Sequence, residues 1–548
     1  MKPEAITENS PLAQEARRRW DELRQERIQF EDDWTDIARL MRPQRGGFGV
    51  DTATQRQLTK ALGSEPMIAH GNFAAGIYAG ITNPATRWAG LTTPDEDLNR
   101  WPPFAEWLDR QTSKIYASLS PSSSSFYTSC FQAYADIAAF GNAAGYDEVD
   151  TGNRKFVDVT LSLAGVVVDV DHHGQVVEVV RKYRLTARQA VRAFGDLPKK
   201  LMDQAEKGDT EKHVFYHHVR LNDQFVPRAL GPRGKRYLSV YACETGECVV
   251  RLKGYDEMPF YYPRWDVDSE MTYGIGPGYI ALASARTHDL MENATLRAAQ
   301  RAADPVKMAP DRNVIPLNGT FRPGSVVYGA VSMSGQPLIR SEDFNGNIGL
   351  TEEEKRQKVE TVKEAFYYSI MSLTGRTGVS NEENRVIEEA RLRNWAPHAD
   401  RIMEEWAARK FERRYRLLFK NGQIDPPPPG TPEGVPLQTR YQSQAEMALR
   451  ASEAQSVRTF FNDMQPLMEI YPEARHRFSP DDYMEVLHEA SPSLPQRLLV
   501  SREQAAAAAQ QEQQAAQAAQ AAQMAREGGA GMRDMAQAAQ IMGQGETT

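Results

Sequence analysis

Trp20, Leu23, Phe30, Trp34, Ile37 and Met41 recur at steps of three and four, with Arg27 interrupting them. That spacing places one apolar stripe along a long helix. Ser10 before Pro11 predicts its start, since proline suits a first helical turn. "RPQRGGFG" ends it. Residues 66–140 read as further helices rich in Ala and Gly, broken by "TNPATRW", "WPPF" and "SPSSSS". From about Phe156 the apolar period drops to two. "FVDVTLSLAGVVVDVDHHGQVVEVVRKYRLT" alternates, is rich in valine and turns at "DHHG", which predicts a hairpin. Thr186 and Gln189 stand at capping-box spacing for a short helix in "TARQAVRAFG". Strands are expected again at 213–222, 236–243, 247–253 and 259–266. Residues 156–270 therefore predict a mainly antiparallel β region inserted into a helical chain.

The stretch "RWDVDSEMTYGIGPGYIAL" ends that region with three alternating glycines, Gly274, Gly276 and Gly278. Their spacing fits neither G-x-G-x-x-G nor a P-loop, so no nucleotide cradle is expected. A strand-to-helix elbow fits better. The glycines allow a sharp turn and Pro277 opens the next helix. That helix, Pro277 to about Ala303, carries many small residues and shows no obvious core face, which suggests packing between neighbours of its own kind. Residues 304–349 are irregular, with "SVVYGAV" reading as a strand. Thr351 and Glu354 form a capping-box pattern, and Val359, Val362, Phe366, Ile370 and Leu373 mark a second long helix. "TGRTGVSN" breaks it. Ser380 and Glu383 cap a third helix, expected to run to about Phe419 with a kink at Pro397. Six prolines between Pro426 and Pro436 predict a stiff linker. Ser501 and Gln504 cap an Ala/Gln tract, and residues 527–548 read as disordered.

The chain has 548 residues, 41% hydrophobic and 25% charged, and a net charge of −8. That allows two to four domains. The acidic balance argues against a tight grip on nucleic acid. Three cysteines, Cys130, Cys243 and Cys248, are too few for a disulfide scaffold and point to a reducing compartment. No apolar run is long enough to span a membrane, and the first twenty residues carry no apolar signal core.

Candidate chemistry is sparse. Cys243 and Cys248 flank "ETGE" and would face each other across a hairpin, with His217 and His218 on a nearby strand. Sheet packing is the favoured reading over a zinc site. His172 and His173 read as exposed turn residues. Asp266, Asp268 and Glu270 resemble a metal-carboxylate cluster in composition alone. No Ser-His-Asp pattern stands out, and neither a catalytic role nor a cofactor is expected.

The order of these pieces resembles the portal, or head-to-tail connector, proteins of short-tailed bacteriophages (podovirus type). The carriers are "RWDVDSEMTYGIGPGYIAL", the small-residue helix ending "AADPVKMAPD", "IDPPPPG" after a long helix, and "LPQRLLVSREQ" before the Ala/Gln tract. The likeness spans roughly residues 12 to 525 and departs at "RTGVSNEENRV". It implies an α+β, mainly helical portal fold in a dodecameric ring: a wing at 1–270, a first stem helix at 271–303, a clip at 304–349 and a second stem helix at 350–373. A channel loop at 374–384, a long wing or crown helix at 385–425, linker and crown at 426–500, and a helical barrel at 501–526 follow.

The resemblance further implies a channel at one capsid vertex through which genomic DNA is packaged and ejected. Its partners would be further copies of itself, double-stranded DNA, a terminase packaging motor, a tail adaptor and the major capsid protein, with internal core or ejection proteins as additional contacts. It would sit in the virion, after assembly in the host cytoplasm. Arg376 would face DNA in the channel loop. Val326, Val327 and Tyr328 would form the clip's docking surface. Gly274, Gly276, Pro277 and Gly278 would form the wing-to-stem hinge. The alternatives are a capsid-interior scaffold or ejection protein, which the Ala/Gln tract suits, and a DNA-processing enzyme.

Overall fold

The computed structural model describes residues 9–48, 61–150, 155–303, 307–308, 331–341, 348–368, 397–432, 434–441, 456–464 and a few helical residues between 466 and 517. Its first half contains α1 (Pro11–Leu40), α2 (Glu65–Ile81), β1 (Ala89–Thr92), α3 (Glu96–Arg100), α4 (Pro102–Leu119), α5 (Phe126–Phe140), β2 (Ala144–Asp150) and β3 (Lys155–Leu161). β4 (Val166–Val170), β5 (Val176–Thr186), α6 (Ala187–Phe194), α7 (Lys199–Lys207), β6 (Lys212–Leu221), β7 (Tyr237–Cys243), β8 (Cys248–Tyr255) and β9 (Phe260–Tyr261) follow. Then come α8 (Pro277–Ala303), β10 (Lys307–Met308), β11 (Arg340–Ser341), α9 (Ile348–Ala365), α10 (Arg409–Lys420) and β12 (Gln438–Tyr441).

Ser10 is extended and Pro11 takes the first position of α1. The apolar stripe of the sequence is the helix's buried face, and Arg27 is buried with it. The guanidinium is tolerated because it is paired. Nε donates to Glu31 at 2.9 Å, and Nη1 donates to the carbonyls of Leu163 and Val166 at 2.8 and 2.9 Å. The residue that interrupts the stripe thus ties α1 to the start of β4.

α1 crosses a five-stranded antiparallel sheet of order β4-β5-β6-β7-β8. Ala13, Ala16, Trp20 and Leu23 pack on Val167, Val180, Tyr216 and Ala242. Alternate residues point to the opposite face. There Phe215, Cys243 and Cys248 pack under Ala190, Leu197 and Leu201 of α6, α7 and the turn between them. The capping box at Thr186 and Gln189 is present in full. The helix α7 was not legible, because it starts at Pro198 with no side-chain cap.

The stretch from Phe156 departs from a single hairpin. β3 belongs to a second sheet of order β3-β2-β9. A 3-10 turn at Leu163–Gly165 redirects the chain, and the hairpin turning at "DHHG" begins only at Val166. The helix at 397–420 covers this second sheet and holds it by charge. Lys410 and Arg414 both reach Asp158, at 3.0 and 2.7 Å, and all three are buried. Arg413 and the Tyr261 hydroxyl donate to Asp147 at 2.7 and 3.0 Å. The helix carries a π-turn at Met403–Ala408; Pro397, where a kink was expected, is the first residue of the described helix, and the residues before it lie outside the described ones. Turns of this width are rare and occur mostly as single turns inside α-helices. Here Trp406 is buried against Gly145, where a Cβ would come within 2.4 Å of the indole.

By contacts the chain divides into two units, Met1–Trp88 with Lys114–Ile424, and Ala89–Ser113 with Asp425–Thr548. In the second, β1 pairs antiparallel with β12. Trp107 and Gln111 hold Asp425 at 3.1 and 3.2 Å.

Two outcomes are expected from these ion clusters. Asp158→Asn leaves Lys410 and Arg414 buried without their anion, which should cost about 3–5 kcal/mol in chemical denaturation. Glu178 lies between His218 (2.6 Å) and Arg19 (2.8 Å). Burial alone would raise its carboxyl, but hydrogen bonds from His218 and Arg19 outweigh this and bring it from 4.5 down to about 2. A depressed carboxyl stabilises the fold above its unfolded value and loses that effect as pH falls through the folded one. Glu178→Gln should therefore melt below wild type at pH 7, and the gap should close between pH 4.5 and 2.

Candidate functional site

The glycine turn identified in the sequence sits where α8 leaves the chain's β region, packed on the C-terminal end of α5. α5 ends at Gly141, which is left-handed with φ 74. Asn142 then reads the incoming backbone from both sides. Its Oδ1 accepts from Gly274 N at 2.8 Å, and its Nδ2 donates to Gly274 O at 2.7 Å. Trp265 N donates to Gly141 O, and Ile275 N to Asp266 O, each at 2.8 Å.

No side chain fits between the two main chains. A Cβ on Gly276 would lie 2.5 Å from Gly141 N, and one on Gly278 would lie 2.1 Å from Ala139 O. A Cβ on Gly141 would lie 2.4 Å from Gly276 N. Gly274, Gly276, Pro277 and Gly278 are thus brought together at one joint, with Gly141 and Asn142 as partners the sequence reading missed. "AAFGN" carried the signal, since glycine after a helix is a common left-handed cap. Tyr273 anchors the joint in an aromatic cluster with Phe30 and Trp34 of α1, at ring distances of 5.6 and 5.8 Å. Trp34 continues it to Phe48 and Phe140.

From the joint α8 runs 27 residues, about 40 Å at 1.5 Å per residue. It does have a core face, contrary to the sequence reading. Gly278, Ala281, Leu282, Ala285 and His288 are buried. Small residues at that spacing let α1 and α5 approach closely and so leave little apolar signal. Arg286 pairs with Asp33 and Asp36 at 2.8 and 2.6 Å, and Arg39 with Asp289 at 2.8 Å. Full burial stops at His288, and Leu290 beyond it is 71% exposed.

α9 packs along α8, with Lys355 Nζ 2.9 Å from Glu292. α8 leads into β10 and β11 leads into α9. The two short strands pair antiparallel, so the helices form the arms of a hairpin. α9 begins at Ile348, so Thr351 lies inside it and does not cap it. The helix stops at Ala365, and Tyr367 has φ 52. Phe366 packs on His70 and Phe73 of α2. Burial pushes His70 down to about 4, so the ring is neutral at pH 7 and bonds the Ala135 carbonyl at 2.8 Å.

The other residues singled out from sequence scatter. Cys243 and Cys248 pair across the β7–β8 hairpin as free, buried thiols. The hydrogen bond from Cys248, together with burial, raises the Cys243 thiol far above its ordinary value, which opposes metal binding. His217 bonds Ser239 and His218 bonds Glu178. No group of three or more potential ligands could hold a metal among the described residues. His172 and His173 lie side by side in an exposed turn, their rings tilted by 43°. Asp266, Asp268 and Glu270 share an exposed loop before the joint. Arg376, Val326, Val327 and Tyr328 lie outside the described residues. No described helix is long and apolar enough to cross a membrane.

Residues 13–499 match the family model described as "Bacteriophage head to tail connecting protein". The chain is 24% identical over 511 residues to the "Portal protein" of Salmonella phage epsilon15, covering 89% of each. It is 25% identical over 548 residues to the "Probable portal protein" of Bordetella phage BPP-1, covering 97% of this chain and 93% of that one. Among solved structures it is similar to a chain of the "Neck of empty GTA particle computed with C6 symmetry". The identity is 12% and the TM-score 0.38, with 83% of this chain and 93% of that chain covered.

The joint makes a contrast testable. Gly278→Ala and Gly276→Ala force a methyl into main-chain atoms and should each cost about 3 kcal/mol or more. Gly71→Ala, on exposed α2 surface with nothing within 4 Å of its Cβ, should instead stabilise by about 1 kcal/mol. Thermal melts of the three variants check both signs.

Proposed function

We infer the function from one premise: this chain belongs to the bacteriophage head to tail connecting protein family. It is a phage portal protein, the connector between head and tail. We propose further that copies of it close into a ring around a channel that passes double-stranded DNA during packaging and ejection. The observation that carries this reading is the helical hairpin of α8 and α9. It stands on a joint with no side chains between main chains, and full burial along α8 ends at His288. Ile280 and Leu290, 63% and 71% exposed, leave apolar surface on α8 for a neighbour.

In this reading Gly274, Gly276, Pro277 and Gly278 aim the stem, and the short β10–β11 ladder opens the clip. Val326, Val327 and Tyr328 would then meet the packaging motor first and the tail adaptor later. The net charge of −8 per chain suits a channel along which DNA slides, because each fixed cation on a phosphate adds grip. Arg376 is the proposed exception, a contact with DNA from the channel loop.

Negative-stain images of the purified chain should show closed rings with a central hole. A monodisperse monomer at high concentration, with no ring in virions, would refute the reading. Charged replacements at Val326 to Tyr328 should leave rings intact while motor or adaptor binding falls at least tenfold. Arg376→Ala should reduce DNA packaging or retention, measured as packaged genome per particle.

A further inference from the structure

The connection between β6 and β7, residues 222–236, is a built loop with an unpartnered surface. Asn222 ties its two ends, donating through N to the Arg236 carbonyl at 2.9 Å and through Nδ2 to the carbonyls of Pro232 and Lys235 at 3.1 and 2.9 Å. Val226 N donates to Arg233 O at 2.9 Å, and Lys235 bonds Asp256 at 2.8 Å. Held this way, the loop presents Phe225, Val226 and Leu230 to solvent, Leu230 at 93% exposure. Arg228, Arg233 and Arg236 belong to the same loop and are all exposed. None of the three makes an ion pair with a described residue. The neighbouring Arg220 does, with Glu15 and Asp223. An ordered apolar tip with three spare cations in the same loop suits an acidic protein surface with some apolar area of its own.

The chain carries such a surface on the opposite flank. Asp266, Asp268 and Glu270 are exposed and make no ion pair with a described residue, and Met271 beside them is 41% exposed. This stretch is fastened beside β4, one edge of the five-stranded sheet. Before it, Arg264 donates to Gly174 O in the β4–β5 turn at 2.7 Å. After it, Thr272 bonds Glu26 of α1, which sits one residue from the Arg27 that grips Val166. The basic loop is fastened beside β8, the other edge. A Cβ on Gly254 of β8 would lie 2.6 Å from the Lys235 side chain. Lys235 also pairs with Asp256 just beyond that strand. Complementary charge at opposite edges of one sheet cannot meet within a chain.

We propose that loop 222–236 of one copy docks on residues 266–271 of the next copy. The contact is heterologous, one edge of the sheet region against the other edge of its neighbour, the type that closes into a ring when the rotation allows. The apolar tip and Met271 supply the dry centre, and three cations against three carboxylates set the register. The proposal rests on the ring reading above and assigns a contact to it.

The test uses the full chain in sedimentation over a concentration series. R228E/R233E/R236E should raise the half-assembly concentration at least tenfold, and D266K/D268K/E270K should do the same. An equimolar mixture of the two variants should assemble near the wild-type concentration, because alternating copies restore opposite charge at every contact. Added salt should weaken wild-type assembly. Rings of wild type with either triple variant unaffected, or no recovery on mixing, would overturn the contact and leave the ring standing. Wild type that stays monomeric at every concentration overturns both. Should the triple variants melt below wild type, Arg233→Cys with Asp268→Cys in one chain replaces them. The native cysteines are buried, so oxidation should give a ladder of linked copies, and its absence overturns the contact.

Discussion

Two main chains meet at Gly141 and Gly276 with no side chain between them. That contact excludes a Cβ from Gly276, Gly278 and Gly141 itself, and Asn142 locks the register by bonding both polar atoms of Gly274. Backbone against backbone is stiffer than side chain against side chain, because no rotamer change can absorb a displacement. The direction in which α8 leaves is therefore set by direct main-chain packing, and the aromatic cluster around Tyr273 resists rotation about it. A helix of this length magnifies small angular errors. An error of a few degrees at Gly276 moves the far end of α8 by ångströms, so the position of that end depends on this root. This joint behaves as a fixed elbow more than as a free hinge.

The second source of rigidity is charge taken out of water. Asp158, Lys410 and Arg414, and separately Asp147 with Arg413, bind the helix at 397–420 to the three-stranded sheet. Such groups contribute little net stability against apolar residues of the same volume, yet losing one partner leaves an uncompensated buried charge. Lys410 Nζ also lies 4.4 Å from the Trp406 ring, which adds a cation–π contact to the same register. The π-turn at Met403–Ala408 belongs to this constraint, since Trp406 must lie on Gly145 while Lys410 and Arg414 reach one carboxylate.

Much of this was legible where one period dominated the sequence. The stripe of α1, the valine-rich alternation of β4 and β5 and the capping box of α6 needed only local rules. β2 was missed because "AGYDEVD" buries Asp147 against Arg413, so its core side carries a charge and breaks the expected alternation. The core face of α8 was missed because alanine, glycine and histidine make it, and small residues register as neutral. The joint was half legible. Three glycines and a proline marked a turn, but the reason for them lies at Gly141, more than a hundred residues away, where no periodicity connects the two. The two capping-box patterns differ for the same reason. Thr186 stands at a chain turn that tertiary contacts also require, whereas α9 begins before Thr351 and makes its pattern incidental.

Charge in this protein sorts by place. Inside, carboxylates are matched by cations at Asp158, Asp136 and Glu178, and the matches hold elements in one geometry. At the two edges of the large sheet the sorting stops, with arginines left over beside β8 and carboxylates left over beside β4. Stray surface charge usually has no consequence, since water pays it no penalty. Here each excess sits beside exposed apolar side chains, and the signs are opposite. An acidic chain repels its own copies at long range. A local patch of opposite sign can overcome that repulsion only in one orientation, and so it selects which edges meet. Such selection needs the edges to hold a constant angle to α8. The fixed root at Gly141 and Gly276 and the buried ions behind it meet that requirement, so the proposed edge contact and the exposed apolar face of α8 can serve one assembly.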